Sequence, residues 1–330
     1  APSGGVDLFV LRHPDHIWEV LVRDGAKYGK THTAFDTLTK FLGYGLLTTD
    51  GETWRRQRRM VQPAFSRKRL EGYARAMVSE GLETLGDWHH GQVRDMSREM
   101  MELTLRVVCR TLFSHDVRGS TDEVWHAMES FRTFMGKPAL LPSWLPTPGR
   151  RQADEAVATL DRIIYGLVSE RRSASASPDP PDLLQLLVTA TDDEGDGGTL
   201  DDREIRDQLV TLFLAGHETT SHALTWTLYL LSQNPEAEAK LHAEVDEVLA
   251  GKPPTMADTE RLPYTRWALE EAMRLYPPAY TLARRAEEDT VIGSYPVRAG
   301  SEVVVWIYMT HRDERWYAAP LASRPERFVH

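Results

Sequence analysis

Apolar residues crowd one long stretch of the chain, with Leu209, Leu212, Phe213, Leu224, Trp226, Leu228, Leu230 and Leu231 falling nearly all round a helical wheel. That pattern predicts a helix buried against neighbours on several sides, with a dry centre. Local rules bound it. Thr199-Leu200-Asp201-Asp202 has the spacing of a capping box, Asp201, Asp202 and Glu204 put negative charge in the first turn, and Asn234-Pro235 supplies the stop. The run is about thirty residues, roughly 45 to 50 Å long and the span of a whole domain. Tyr264 to Leu275 has helical composition and is stopped by Pro277-Pro278, and in Met100 to Phe113 the positions Met101, Leu105, Val108 and Leu112 recur at helical spacing. Two β-rich runs, Thr290 to Val297 and Glu302 to Met309, are joined through Arg298-Ala299-Gly300. The fold expected is mainly α with a small β part (α+β), in a single domain over residues 1–330.

The apolar pattern is interrupted at Ala215-Gly216-His217-Glu218-Thr219-Thr220. Inside a buried helix Gly216 costs about 1 kcal/mol relative to alanine, and a buried Glu218 costs more unless paired or protonated. Sequences accept such costs mostly at functional sites, although small and polar residues also occur at ordinary helix crossings. Glycine lets a flat ligand approach the backbone, and a Thr219 hydroxyl bonded to the Ala215 carbonyl loosens or bends the helix. The expected result is a groove with an acid and a hydroxyl at its lip. His217, Glu218 and His222 superficially match a zinc hydrolase motif, but a spacing of five places the imidazoles roughly 140° apart on a helix, so they cannot share one metal.

In the helix at Tyr264 to Leu275, Glu271 and Arg274 lie three apart on one face. They begin the series Glu271-Ala272-Met273-Arg274-Leu275-Tyr276-Pro277-Pro278, followed by Arg284 and by Arg324-Pro325-Glu326-Arg327-Phe328. With these in place the chain resembles the cytochrome P-450 family of haem-thiolate monooxygenases along nearly all its length. Ala215 to Thr220 matches the Ala/Gly-Gly-x-Asp/Glu-Thr-Thr motif of the family's central helix. Glu271 and Arg274 match its Glu-x-x-Arg, Pro325 to Phe328 its Pro-Glu-Arg-Phe segment, and Trp54 with Arg58 its Trp-x-x-x-Arg helix.

The resemblance implies haem b (iron protoporphyrin IX), lying against Ala215 and Gly216, with Trp54, Arg58 and Arg284 as donors to its propionates. On a strand Arg284 and Arg285 point in opposite directions, so only one of them can face the haem. It further implies a buried charged triad of Glu271, Arg274 and Arg327, and activation of O₂ by two electrons and two protons, with Thr219 as hydrogen-bond donor and Glu218 as the solvent-linked acid. The electrons would come from NAD(P)H through an acidic ferredoxin or a flavodoxin-type reductase. The product would be a hydroxylated or epoxidised apolar molecule.

The family's axial cysteine belongs in a loop beyond the Pro-Glu-Arg-Phe segment, whereas the one cysteine here, Cys109, sits among core positions and reads as a small core residue. No metal ligand is therefore expected within this chain, and the isolated chain is expected to be inactive without that thiolate. Val6 to Leu11 followed by His13-Pro14 resembles the second strand of the family's small sheet, so an incomplete P-450 domain is expected, lacking its first helix and strand and its haem-cysteine loop. A catalytically inactive truncated relative that binds an apolar ligand, or nothing, stays open as the alternative.

Composition refines this picture. With 41% hydrophobic residues the chain can bury a large core, one cysteine excludes a disulfide framework and suits a reducing cytoplasm, and no run of eighteen apolar residues can span a membrane. The net charge of −10 argues against nucleic acid, yet Trp54 to Arg69 holds seven basic residues and no acid. Of these Arg55, Arg56, Arg59 and Lys68 are expected on the surface where the electron donor docks. An apolar substrate such as a fatty acid, terpenoid or polyketide is expected against Phe35, Leu38, Phe41, Leu42, Leu212, Ala279 and Tyr280, under a lid from Phe131 to Pro148 carrying Phe134, Met135, Leu140, Leu141, Trp144 and Leu145. Ser173 to Pro181 and Asp192 to Gly198 read as surface loops without chemistry.

Overall fold

The computed structural model describes residues 6–30, 33–113, 130, 147–174, 181–195 and 197–329, leaving out the side chains of 33–37. The expected lid therefore lies almost wholly outside the described residues. In chain order the elements are β1 (Leu8–Leu11), α1 (Pro14–Trp18), β2 (Tyr28–Gly29), α2 (Thr33–Leu42), α3 (Gly51–Val61), α4 (Arg67–Gly86), α5 (Met96–Phe113), α6 (Pro148–Ser173), α7 (Leu183–Val188), α8 (Asp202–Ser232), α9 (Pro235–Leu249), α10 (Pro263–Leu275), β3 (Leu282–Ala286), β4 (Thr290–Ile292), β5 (Tyr295–Val297), β6 (Glu302–Val305) and α11 (Ile307–Thr310).

The helix α8 is the axis of the molecule and packs against α5, α6, α7 and α10. Its capping box is formed by Asp201 and Glu204, whose side chains bond reciprocally to backbone amides at 2.7 and 3.0 Å. The box thus falls two residues beyond the Thr199 spacing expected. Thr199 instead makes a β-bridge to Thr191, and its carbonyl accepts from Arg56 Nη2 at 2.8 Å. The helix is continuous from Asp202 to Ser232, with no break at Gly216. Nor is it buried all round. Ile205 to Thr211 and Phe213 are buried, and of these Ile205, Leu209, Val210 and Phe213 join the main core with Leu105, Leu160 and Leu184, while Leu228 and Tyr229 near the other end are 39% and 48% exposed.

A smaller core lies beneath the sheet, around Val20, Ile292, Val303 and Val305. The sheet order is β1-β6-β3-β2, with β1 parallel to β6 and the other pairs antiparallel. The run from Thr290 to Val297 is a hairpin rather than one strand, and the run from Glu302 stops at Val305 because β1 ends opposite it: Trp306 N bonds the Leu11 carbonyl at 3.1 Å and α11 begins. In β2 and β3, Gly29 pairs with Arg285, which brings Lys30 beside Arg284.

Candidate functional site

The helix α10 carries a closed charged cluster. Glu271 is fully buried and accepts from Arg274 Nε and Nη2 at 2.6 and 2.8 Å, from Arg327 Nε at 3.1 Å and from the Arg324 amide at 2.8 Å. Arg274, 2% exposed, spends its remaining donors on the carbonyls of His311 at 2.8 Å and Pro320 at 2.7 Å. Every polar atom of the carboxylate has a partner, which is the condition for a buried ion network to stabilise a fold. The cluster fixes the end of α10, and the chain then turns at Pro277-Pro278 towards α8.

Between α8 and that turn lies a cavity of about 640 Å³. Glu218, Thr219, His222 and Trp226 border it from α8, and Tyr276, Pro277, Pro278, Tyr280, Trp306 and Tyr308 border it from the other side. Trp226 and Tyr276 stack in parallel with centroids 3.9 Å apart. A second cavity of about 630 Å³, mostly apolar, lies between α8 and the pair α4 and α5, and Leu212, Ala215, Gly216 and Thr220 open into it. The exposed strip of Ala215, Thr219 and Thr220 runs between the two cavities. Thr219 Oγ1 donates to the Ala215 carbonyl at 2.5 Å, without interrupting the helix. Gly216 faces α5, where an added Cβ would sit 3.3 Å from Val108 Cγ2, so its lack of a side chain also serves helix packing. His217, on the core side, is 3% exposed, bonds the Met101 carbonyl at 3.1 Å and is pushed down to about 4 by burial.

Cations gather where α3 meets the β2–β3 edge of the sheet. Arg58 lies over the Trp54 ring at 5.2 Å, and Lys30 Nζ lies 4.8 Å from the same ring. Burial pushes the Lys30 ammonium below the ordinary lysine range; Asp50 opposes that shift, while Arg284 and Arg58 add to it. Arg284 is half-buried and lowered by burial, whereas Arg285 beside it is exposed. Among the described residues neither Arg58 nor Arg284 makes an ion pair, and Asp50 is the carboxylate that acts on Lys30 and Arg284. Nothing in the sequence marked Lys30, since only the β2–β3 register brings it to Arg284.

Other expected positions separate in space. Phe41 and Leu42 are 3% and 0% exposed and belong to the main core, Leu212 opens into the apolar cavity, Tyr280 borders the cavity at the turn, and the Phe35 side chain lies outside the described residues. Among the basic residues Arg55 and Lys68 are exposed. Arg56 instead pairs with Glu204 at 2.5 Å, and Arg59 pairs twice with buried Asp192 at 2.8 and 2.9 Å. The loop beginning at Asp192, expected to be a plain surface loop, is therefore an anchor for α3. Cys109 is 1% exposed, and burial raises its thiol to about 12.

The chain matches the family model described as Cytochrome P450 over residues 3–330. It is similar to cyclooctatin synthase of Streptomyces melanosporofaciens, with 40% identity over 96% of this chain and 70% of that protein. Pentalenene oxygenase of Streptomyces avermitilis shares 34% identity, covering 99% of this chain and 72% of that one. The crystal structure of the cytochrome P450DA heme domain superposes with a TM-score of 0.86 at 30% identity, over 98% of this chain and 72% of that one. With the family model matched over nearly the whole chain and relatives at 34 to 40% identity across more than two thirds of their length, the chain belongs to the cytochrome P450 family.

Proposed function

We propose that this chain serves haem-dependent monooxygenation, placing one oxygen atom of O₂ on an apolar, terpenoid-type substrate with electrons passed from NAD(P)H by an acidic ferredoxin or a flavodoxin-type reductase. The observation that carries the reading is the strip of α8 bearing Ala215 and Thr219, with Glu218 at its cavity edge, in the same fold as a surplus of cations around Trp54. The donor set fits haem: two propionates are dianionic, and Lys30, Arg58 and Arg284 are cations in excess of local carboxylates. When bound, haem supplies the redox-active iron that reduces dioxygen.

The chain's own residues do the rest. Arg58, Arg284, Lys30 and the Trp54 indole hold the carboxylate edge. The small Ala215 leaves room for a flat face. The Thr219 hydroxyl, bonded to the Ala215 carbonyl, would serve as the hydrogen-bond donor at the cavity edge by rotating about its Cα–Cβ bond. Glu218 borders the cavity and makes no ion pair among the described residues, so it is free to renew that proton from solvent. Aromatic rings at Trp226, Tyr276, Tyr280, Trp306 and Tyr308 suit an apolar ring system, and the similarity to cyclooctatin synthase and pentalenene oxygenase supports a terpenoid. Exposed Arg55 and Lys68 steer the electron donor.

Thr219→Ala tests the relay in the haem-loaded protein supplied with the family's cysteine loop. Product formation should fall by about 100-fold, the lower end of the usual contribution of a positioned proton donor, while NAD(P)H is still consumed and hydrogen peroxide appears. Full coupling of NAD(P)H to product in that variant contradicts the relay.

A further inference from the structure

The loop of residues 43–49 crosses the first third of α8, where Arg206, Asp207, Gln208 and Thr211 are between 0% and 5% exposed. Buried polar groups of this kind are costly unless their bonds are used. Part of that bonding goes to the loop and to the end of α2: Asp207 Oδ2 accepts from the Tyr44 amide at 2.7 Å, Gln208 Oε1 accepts from the Leu46 amide at 3.1 Å, and Arg206, paired with Asp161 and Asp207, donates from Nη2 to the Phe41 carbonyl at 3.1 Å, while Gln208 Nε2 and Thr211 Oγ1 make no bond among the described residues. The approach is close. Gly43 has φ +72°, and a Cβ there would overlap the Asp207 carboxylate.

The same loop is tied on its far side to the cation cluster. Lys30 Nζ donates to the carbonyls of Leu46 at 3.0 Å and Thr49 at 3.1 Å, and Gln57 Nε2 of α3 donates to the Tyr44 carbonyl at 2.8 Å. The chain of bonds thus runs from α8 through the loop to Lys30 and to the helix that carries Trp54 and Arg58. An apolar contact could hold these elements together but would not fix their register, because it has no direction; hydrogen bonds to Tyr44 and Leu46 do.

We infer that Asp207 and Gln208 are positioning residues, which through the 43–49 loop hold Lys30 and the Trp54 and Arg58 face of α3 in register with the exposed strip of α8. The inference rests on the haem reading above, since what is positioned is the propionate end of that site.

The test is a haemin titration of the apoprotein followed by Soret absorbance, with thermal midpoints measured alongside, for wild type, Asp207→Ala, Asp207→Asn, Gln208→Leu and the control Asp182→Ala. Asp182 is likewise 3% exposed and pairs with Arg171 at 2.5 and 2.8 Å, away from the loop. Asp207→Ala and Gln208→Leu should weaken haemin binding by about 10-fold, the lower end of what outer-shell partners contribute. Asp207→Asn, which keeps an acceptor for Tyr44, should recover most of it, and Asp182→Ala should lower the thermal midpoint with haemin affinity unchanged. Should Asp207→Ala not fold, Gln208→Leu and Asp207→Asn carry the comparison. Equal haemin affinity in wild type and the loop variants, or an equal loss in the Asp182 control, overturns the inference. A wild type that takes up no haemin overturns the haem reading and the inference together.

Discussion

Single residues in this chain show whether a polar group in a core is structural or chemical. Glu271 is structural, since four donors and, among the described residues, no other group reach it. Glu271→Ala leaves Arg274 buried without a carboxylate, and we expect it to cost about 3 to 5 kcal/mol of stability, read as a lower urea midpoint. An unchanged midpoint would show that the network contributes nothing. His217 gives a pH dependence with a definite sign. Its folded-state pKa lies at about 4, below the ordinary 6.5, so the unfolded chain takes up the proton first. Its contribution is complete above pH 6.5 and is lost as the pH falls towards 4, amounting to about 3 kcal/mol. His217→Asn should flatten stability against pH across that window, while Asp313, held at about 2 by Arg315, acts below it. An equal slope in both proteins would contradict this. Of these residues, Glu271 and Arg274 were legible from their spacing and company. The burial of His217 was not, because the motif that contains it does not say which of its faces meets α5.

Among elements, the sequence identified α8 and α10 well because caps, prolines and apolar spacing act locally. It misplaced the capping box by two residues because Thr199 and Asp201 are both competent caps, and the β-bridge of Thr199 to Thr191 decides between them. Asp201→Ala should destabilise by about 1 kcal/mol in denaturant unfolding, with Thr199→Ala affecting the cap less. The basic run on α3 divides in the same way. Arg56 and Arg59 are held by Glu204 and Asp192, partners more than 130 residues away in sequence, which no local pattern predicts. Removing Arg59 exposes the cost of burying Asp192, whereas removing Arg55, whose partner is exposed Glu52, should leave stability within about 0.5 kcal/mol of wild type.

For the whole molecule, the partition of charge carries the argument about partners. Arg55 and Lys68 remain exposed on a chain of net charge −10, so reduction by an acidic ferredoxin should slow as salt rises, and Arg55→Glu with Lys68→Glu should remove most of that dependence. A rate indifferent to salt would remove the docking argument. The family was legible because four short motifs keep their order along the chain. The apolar lining expected from Phe41 and Leu42 was not realised because hydrophobicity alone does not distinguish a cavity wall from a core, and here both residues joined the core.

The central claim is that the cations beside Trp54 and the exposed strip of α8 form one haem site. Haemin titration of wild type against the Arg58→Met, Arg284→Met double variant tests it most directly. Each lost charge-assisted bond should weaken binding by about 10-fold or more, with far-UV circular dichroism unchanged, because among the described residues neither arginine makes an ion pair. Equal haemin affinity in the two proteins would contradict the account.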